Sequence, residues 1–292
     1  MTTVNLLHQY NNGNYSVSLF SDGTKIRETS DDYFVPSFAE NIDLKITNYC
    51  DAGCGWCHEM STTQGKHANL NLPFAKSFFP GQELAIGGGN PLDHPNLREF
   101  LVELKRNGVI ANLTVNQFHF AKQEYYEMIC DFAENKLVYG IGISLTKPTD
   151  NFIQRIKPFK NAVIHVINNV HTEETLSRLY NHNLKILILG YKDFGRGNDW
   201  AINKHNSLYD CLPKLFNKFQ VVSFDNLAIE QLKPQRFMTK TDWESFYMGD
   251  DGNFTFYIDA VEQKFAKCSF DNTRFNVDNL TVQQMFNKIR TT

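Results

Sequence analysis

Three cysteines in the first fifth of the chain, Cys50, Cys54 and Cys57, fall within eight residues of one another. Thiolates are soft ligands, and thiolates at this C-x3-C-x2-C spacing favour zinc, copper(I) or an iron–sulfur cluster. Gly53 and Gly55 let the backbone turn tightly between them, so that three sulfurs can converge on one centre. Three thiolates occupy three irons of a cubane cluster and leave its fourth iron open to another ligand.

Other interpretations of these cysteines compete with an iron–sulfur cluster. The run from Cys54 to His58 also matches C-x-x-C-H, the c-type haem attachment pattern, but that leaves Cys50 unused and requires an export signal. A structural zinc site needs a fourth ligand, and His58 follows Cys57 too directly for good tetrahedral geometry. A C-x-x-C redox pair is expected in a thioredoxin-like setting, and none follows. A disulfide framework is unusual in a chain of 292 residues with six cysteines.

A second stretch with chemical potential is a run of glycines at the end of the next strand-like segment. Glu83 to Ile86 is short and apolar, and the sequence Gly87-Gly88-Gly89-Asn90-Pro91 follows it. Glycines free the backbone to approach a ligand closely, although a glycine run by itself is equally typical of a tight turn. Its position directly after the cysteine segment favours a binding loop.

Together these stretches resemble the radical S-adenosylmethionine (SAM) superfamily, with Trp56 at the aromatic position before the last cysteine. The resemblance implies that the three cysteines hold one [4Fe-4S] cluster and that SAM binds its open iron. It implies that an electron donor such as flavodoxin or ferredoxin reduces the cluster. The reduced cluster then cleaves SAM to a 5′-deoxyadenosyl radical that abstracts hydrogen from a substrate. It places Trp56 beside the SAM adenine and the SAM amino group at Gly88, Gly89, Asn90 and Pro91. Asn90 replaces the family's usual glutamate, so its carbonyl would accept hydrogen bonds without charge assistance.

The remainder of the chain must position these loops, and it alternates between strand-like and helical segments. Counting from Ile42, six strand-like runs are separated by crossover segments, which predicts a parallel sheet in an α/β fold. Right-handed crossovers would curl this sheet into a partial (β/α)6 barrel of the radical SAM type. Chemistry in such barrels lies at the carboxyl ends of the strands. The segments at those ends are the cysteine loop, the glycine loop, Asn116, Ser144, Asn168 and Lys192.

These strand-end residues have bland as well as functional interpretations. The resemblance places Ser144 against the SAM ribose or carboxylate, whereas a strand-end hydroxyl often bonds only to backbone. Asn116 and Asn168 are candidates for SAM or substrate contacts, and loop capping is the alternative. Lys192 and Arg196 are candidates for binding a substrate carboxylate or phosphate, or they belong to a solvated loop.

The pattern predicts three regions: an N-terminal hairpin and connector (1–40), the barrel core (41–197) and a small α+β extension of helices and a β-hairpin (198–292). The extension carries Cys268, and one cysteine cannot hold a second cluster, so a single cluster is expected. Cys268 is a candidate hydrogen donor to a substrate radical, as in some epimerases of the family. A buried structural thiol is the alternative.

Composition limits the function classes. Hydrophobic residues make up 42% and charged residues 21%, as in soluble globular proteins. The net charge of −3 gives no strong nucleic-acid signal. No run reaches the roughly 20 apolar residues of a membrane span, and a cytoplasmic location is expected.

Three functional hypotheses follow. The first is a radical SAM enzyme acting on a peptide or protein side chain, since the hairpins at both ends could add a peptide as an extra strand. The second is a radical SAM enzyme acting on a small metabolite or nucleotide. The third is a non-catalytic iron–sulfur or zinc protein.

Overall fold

The structure is a computed structural model that describes residues 4–200 and 208–291. The chain begins with a small antiparallel sheet of three strands, β1 (Leu6–Asn12), β2 (Tyr15–Phe20) and β3 (Lys25–Glu28). The predicted hairpin corresponds to β2 and β3, and β1 was not predicted from the sequence. Strand β1 pairs antiparallel with β2 from Leu6 to Asn12, so it adds a third strand to the predicted hairpin.

The main sheet has ten strands, of which eight run parallel. The parallel strands are β4 (Asn41–Thr47), β5 (Glu83–Gly88), β6 (Ile110–Asn116), β7 (Gly140–Ser144), β8 (Ala162–Ile167), β9 (Lys185–Leu189), β10 (Val221–Phe224) and β11 (Thr255–Asp259). Two short antiparallel strands, β12 (Lys264–Ala266) and β13 (Phe275–Asn276), complete it.

The order of the strands follows the chain for most of the sheet. From β4 to β10 each strand pairs in parallel with the next, so every crossover steps in the same direction. On its other side β4 pairs in parallel with β11, which continues into β12 and β13. In the residues that the structure describes, β10 and β13 do not pair with each other, so the barrel stays open. The predicted partial (β/α)6 barrel is confirmed, and it carries one further parallel strand on each side.

Strand β4 shows why the interior of the barrel is polar. Ile42, Leu44 and Ile46 are buried in the main hydrophobic core, whereas Asp43 and Lys45 line a cavity inside the barrel. Alternate residues of a strand point to opposite faces, so one face of β4 is apolar and the other is charged. The helices pack on the apolar side of the sheet.

The helices are α1 (Leu97–Arg106), α2 (Gln117–Ala121), α3 (Gln123–Glu134), α4 (Asp150–Ile156), α5 (Glu173–Ser177), α6 (Gly197–Trp200), α7 (Leu212–Phe216), α8 (Asn226–Leu232), α9 (Lys240–Phe246) and α10 (Val282–Arg290). Short 3-10 turns occur at Pro73–Lys76, Pro91–Asp93 and Pro234–Phe237.

Several helices are shorter than the sequence predicts. Pro158 ends α4 early, because proline has no backbone N–H to continue the helical hydrogen bonds, and α4 ends at Ile156. The helix predicted over 121–134 is interrupted at Lys122, whose extended backbone separates α2 from α3. Of the helix predicted over 203–219, residues 203–207 lie outside the described residues, and α7 occupies part of the rest.

The N-terminal sheet covers the amino ends of the barrel strands. Lys25 forms ion pairs with Glu40, just before β4, and with Glu83 at the start of β5, at 3.2 and 2.6 Å. The Asn161 amide, just before β8, donates to the carbonyl of Ser21 at 2.8 Å. A substrate strand added to this hairpin would therefore lie at the opposite end of the barrel from the cysteines.

The C-terminal region contributes strands to the same sheet as the core. Strands β10 and β11 flank the six core strands on either side, so the main sheet crosses the predicted boundary at residue 197. That division into regions stays a prediction. In the part of the chain that the structure describes, no helix combines the length and apolar character needed to cross a bilayer.

Candidate active site

The cysteine loop and the glycine loop lie against each other at the carboxyl ends of β4 and β5. The amides of Gly89 and Asn90 donate to the carbonyls of Thr47 and Tyr49 at 2.7 and 2.6 Å. A side chain at position 89 would place its Cβ 2.2 Å from the Tyr49 oxygen, so only glycine permits this approach. The structure thus brings together the two segments that the sequence singled out.

The three cysteines have free, half-buried thiols. Burial raises the pKa of Cys50 and Cys54, and the negative charge of a neighbouring cysteine raises both further. Ionised thiols this close repel one another, and a bound metal centre offsets that repulsion. The loop itself is held by a backbone bond from Cys57 to Cys54 at 3.3 Å.

A cluster and a single ion place different geometric demands on the three thiolates. Among residues 4–200 and 208–291, no three Cys, His, Asp or Glu side chains surround one metal-ion position. A tetrahedral zinc site requires such convergence, with sulfurs about 2.3 Å from the ion. A cubane instead binds each thiolate at a different iron.

Arg196 holds the cysteine loop from the segment that follows β9. Its Nε donates to the Cys54 carbonyl at 2.9 Å and its Nη2 to the Ser61 carbonyl at 3.0 Å. Its backbone amide donates to the carbonyl of Cys57 at 3.2 Å. The guanidinium suggested from sequence as a substrate-anion ligand is therefore engaged with the loop that carries the cysteines.

We expect Arg196→Lys to loosen this loop, because lysine cannot reproduce two diverging N–H donors. Each lost charge-assisted hydrogen bond removes about 1.5–3 kcal/mol of the free energy that stabilises the loop. The reconstituted variant should lose iron to a chelator at least tenfold faster than the wild type. Arg178→Lys, at an exposed position on the loop after α5, serves as the matched control and should release iron at the wild-type rate. Equal rates for Arg196→Lys and the wild type would contradict the assignment.

A second tie to the cysteine loop was not anticipated from sequence. Asp51 contacts His119 Nε2 at 2.6 Å and Lys122 Nζ at 2.8 Å, which joins the loop to α2 and the residue after it. Burial would raise the pKa of Asp51, but the bonds from Lys122 and His119 outweigh it and lower the pKa to about 2. The position of Asp51 inside the cysteine motif was the available signal, and its partners lie some 70 residues away.

The predicted adenine-side residue, Trp56, lies in an aromatic group. Its ring packs edge-on against Trp200 and His171, with centroids 5.0 and 6.3 Å apart. A side chain at Gly55 would meet the Trp200 ring at 3.1 Å. Trp56 therefore belongs to a cluster of aromatic side chains next to the cysteines.

The barrel encloses a cavity of about 810 Å³. Of the residues predicted to bind a cofactor or react, Gly88, Ser144, Lys192 and Cys268 line it. Asn168 does not; it is fully buried and its amide donates to Gln231 on α8 at 3.0 Å. The sequence placed the glycine loop, Ser144, Asn168 and Lys192 at strand ends, but only the tertiary structure separates those that face the cavity.

One group of charged residues on the cavity wall surrounds Lys192. Lys192 donates to the Ser269 hydroxyl at 2.6 Å and lies 3.2 Å from His58 Nε2. Asp43 lines the cavity, and its desolvation there raises its pKa to about 6, with Lys192 lowering it and Asp251 and Asp225 raising it. Carboxylates thus outnumber the ammonium groups in this part of the wall.

A buried ion network joins the cysteine loop to the strands below it. Lys45 on β4 contacts Glu59 at 2.5 Å and Asp259 on β11 at 3.0 Å. Glu59 also lies 3.3 Å from His58. Lys45 therefore ties the loop directly to β4, and through Asp259 it links this contact to β11.

Cys268 lies on the cavity wall after β12. Burial raises its pKa to about 11, and a hydrogen bond with Asp251 adds to that effect. At neutral pH the side chain is therefore the thiol rather than the thiolate. This is the protonation state that hydrogen-atom donation requires, and it disfavours a nucleophilic role.

No protein-family model matches the sequence, and no curated protein matches it. Solved structures of SuiB from Streptococcus suis do share its fold. SuiB bound to the precursor peptide SuiA matches with a TM-score of 0.58 and 15% identity, covering 86% of this chain and 65% of SuiB. SuiB bound to S-adenosylmethionine gives a TM-score of 0.58 and 14% identity, covering 86% of this chain and 66% of SuiB.

A third SuiB structure matches with a TM-score of 0.56 and 14% identity, over 86% of this chain and 66% of SuiB. This chain therefore spans just under two thirds of the length of SuiB. The shared feature is the fold, an open parallel barrel flanked by helices.

Proposed function

We propose that this chain is a radical SAM enzyme that abstracts hydrogen from a peptide or protein side chain. One observation carries the proposal: the cysteine loop and the glycine loop meet at the carboxyl end of an open parallel barrel that encloses a cavity. When bound, a [4Fe-4S] cluster and SAM would supply the 5′-deoxyadenosyl radical. The protein's part is to hold both above the cavity and to orient the substrate within it.

The residues that would hold the cluster are Cys50, Cys54 and Cys57, and the glycine loop would take the SAM amino group. Asn90 is fully buried, and its amide donates to Asp93 at 2.8 Å. Its side-chain oxygen has no hydrogen-bond partner in the described residues. An unpaired buried acceptor costs about 1–3 kcal/mol, which a hydrogen bond from a ligand ammonium would recover.

Two observations support a peptide substrate over a nucleotide. The fold matches SuiB, which has been solved with a precursor peptide bound. The cavity wall carries Asp43, Asp225 and Asp251 around Lys192, and this excess of carboxylates disfavours phosphate groups. A small uncharged metabolite is the remaining alternative within the same chemistry.

Anaerobic reconstitution with iron and sulfide tests the proposal. We expect the protein to take up one four-iron cluster and, with SAM and a reductant, to form 5′-deoxyadenosine. Short peptides should then be compared with nucleotides for their ability to accelerate that reaction. A protein that binds zinc but no cluster, or that holds a cluster yet forms no 5′-deoxyadenosine, would be the non-catalytic alternative.

We also infer that Cys268 donates a hydrogen atom to the substrate radical; one electron from the external donor and a proton would then return the resulting thiyl radical to the thiol. Cys268→Ala should leave the visible absorption and SAM cleavage intact, because the residue is not a cluster ligand. Substrate turnover to product should fall at least a hundredfold, while 5′-deoxyadenosine still forms. The measurement is the ratio of product to 5′-deoxyadenosine in one reaction. Loss of bound iron in Cys268→Ala would instead make it a cluster ligand, and an unchanged ratio would remove its proposed role.

A further inference from the structure

Asn116 occupies the junction between β6 and α2 and makes two side-chain contacts there. Its Oδ1 accepts a hydrogen bond from the backbone amide of Phe118 at 2.8 Å, so it caps the helix. Its Nδ2 donates to the Sγ of Cys54 at 3.3 Å. The sequence suggested a contact with SAM or substrate, and the structure places this amide on a cysteine sulfur.

The cap determines which end of the amide faces the sulfur. The backbone N–H of Phe118 can only donate, so the atom facing it must be the oxygen. The NH2 group is then left to point at Cys54. The orientation of this amide therefore follows from hydrogen-bond chemistry.

An N–H donor beside a ligating sulfur has a known electrostatic consequence. The positive end of the N–H dipole draws negative charge away from the thiolate. A reduced cluster carries one electron more than the oxidised cluster, so it gains more from that dipole. Hydrogen bonds to the sulfurs are among the factors that set the reduction potentials of iron–sulfur clusters.

The geometry points to Asn116 as a positioning residue that raises the reduction potential of the cluster through its hydrogen bond to Cys54. The inference rests on the proposed function, because it requires a cluster on the three cysteines. It assigns to Asn116 a role in electron uptake. That role is separate from any contact with SAM.

Three substitutions of Asn116 remove the N–H donor to the sulfur and keep an oxygen that caps the helix. Asn116→Ser keeps an oxygen that caps the helix, since serine is a favoured N-cap residue, but it is too short to reach the sulfur. Asn116→Asp keeps both the cap and the shape, and it replaces the donor by a negative oxygen. Asn116→Thr is a second capping variant should the serine variant fail to fold. The matched control is Asn96→Ser, which changes an exposed asparagine at the start of α1.

The test is a redox titration of the reconstituted cluster without SAM, followed by electron paramagnetic resonance. Asn116→Ser should shift the reduction equilibrium about tenfold toward the oxidised cluster, which is about 59 mV for one electron. Asn116→Asp should shift it further in the same direction, and Asn96→Ser should not shift it. Melting temperatures measured in parallel report any loss of the cap alone.

The outcomes are distinguishable. A wild-type protein that takes up no cluster overturns the proposed function and this inference with it. Fully loaded Asn116→Ser or Asn116→Thr with the wild-type potential overturns the inference alone. A lowered potential in the capping variants, with the control unchanged, supports it.

Discussion

Cys54→Ala is expected to abolish both the visible absorption of the reconstituted protein and the formation of 5′-deoxyadenosine. The proposed cluster would be held by the three thiolates of the cysteine loop, and two thiolates cannot hold a cubane with one open iron. Cys54 is the middle one of the three cysteines; its carbonyl accepts a hydrogen bond from Arg196 and its sulfur accepts one from Asn116. Cys50→Ala and Cys57→Ala should behave in the same way.

The matched control for these substitutions is Cys130→Ala. Cys130 is also a half-buried free cysteine, but it lies on α3. Burial raises its pKa, and a hydrogen bond with Tyr126 partly offsets that effect. Iron content, absorption and SAM cleavage should equal those of the wild type. A Cys54→Ala protein that keeps its full iron content would contradict the cluster assignment, as would the loss of iron from Cys130→Ala.

Glu40→Ala is expected to produce the largest loss of folding stability, about 3–5 kcal/mol, which is typical when one partner of a buried ion pair is removed. The carboxylate is 1% exposed and accepts from Arg27 Nε at 2.8 Å and from the Tyr15 hydroxyl at 2.6 Å. Its removal leaves Arg27 without this partner, while Lys25 keeps Glu83. Urea denaturation followed by circular dichroism measures the change.

The pH dependence of this stabilisation follows from the pKa of Glu40. Burial alone would raise that pKa, but Lys25 and Arg27 outweigh burial and lower it. A carboxyl whose pKa is lowered on folding stabilises the protein above its unfolded pKa of about 4.3 and loses that contribution as the pH falls through its folded pKa. The difference between wild type and Glu40→Ala should therefore be full at pH of about 7 and should shrink in acid.

Glu28→Ala is the control, because Glu28 lies on the same strand as Arg27 but is exposed. Its effect should stay within about 0.5 kcal/mol, as at most surface sites. A Glu40→Ala protein that unfolds at the wild-type urea concentration would show that the N-terminal sheet does not depend on this ion cluster. The same result would also contradict the interpretation that this ion cluster holds the N-terminal sheet over the amino ends of the barrel strands.

The regular part of the fold was predictable because its signals are local. Each core strand is a short apolar run bounded by turn residues, so all six were found, with ends that differ by only a few residues. Helix ends were less accurate where a proline acts, as at Pro158 after α4. Strand neighbours that are distant in sequence could not be predicted, and β11 beside β4 joins segments more than 200 residues apart.

By itself the sequence determined the three candidate ligand cysteines, the glycine loop and the parallel barrel, because residue type, spacing and periodicity are properties of neighbouring residues. The polar interior was also readable in principle, since Asp43 and Lys45 alternate with apolar residues along β4. Only the tertiary structure decided which strand-end residues face the cavity and which serve the cysteine loop. Asn116 meets Cys54 across 62 residues of chain, and Arg196 reaches it across 142. Such contacts depend on how the barrel curls, which no short stretch of sequence encodes.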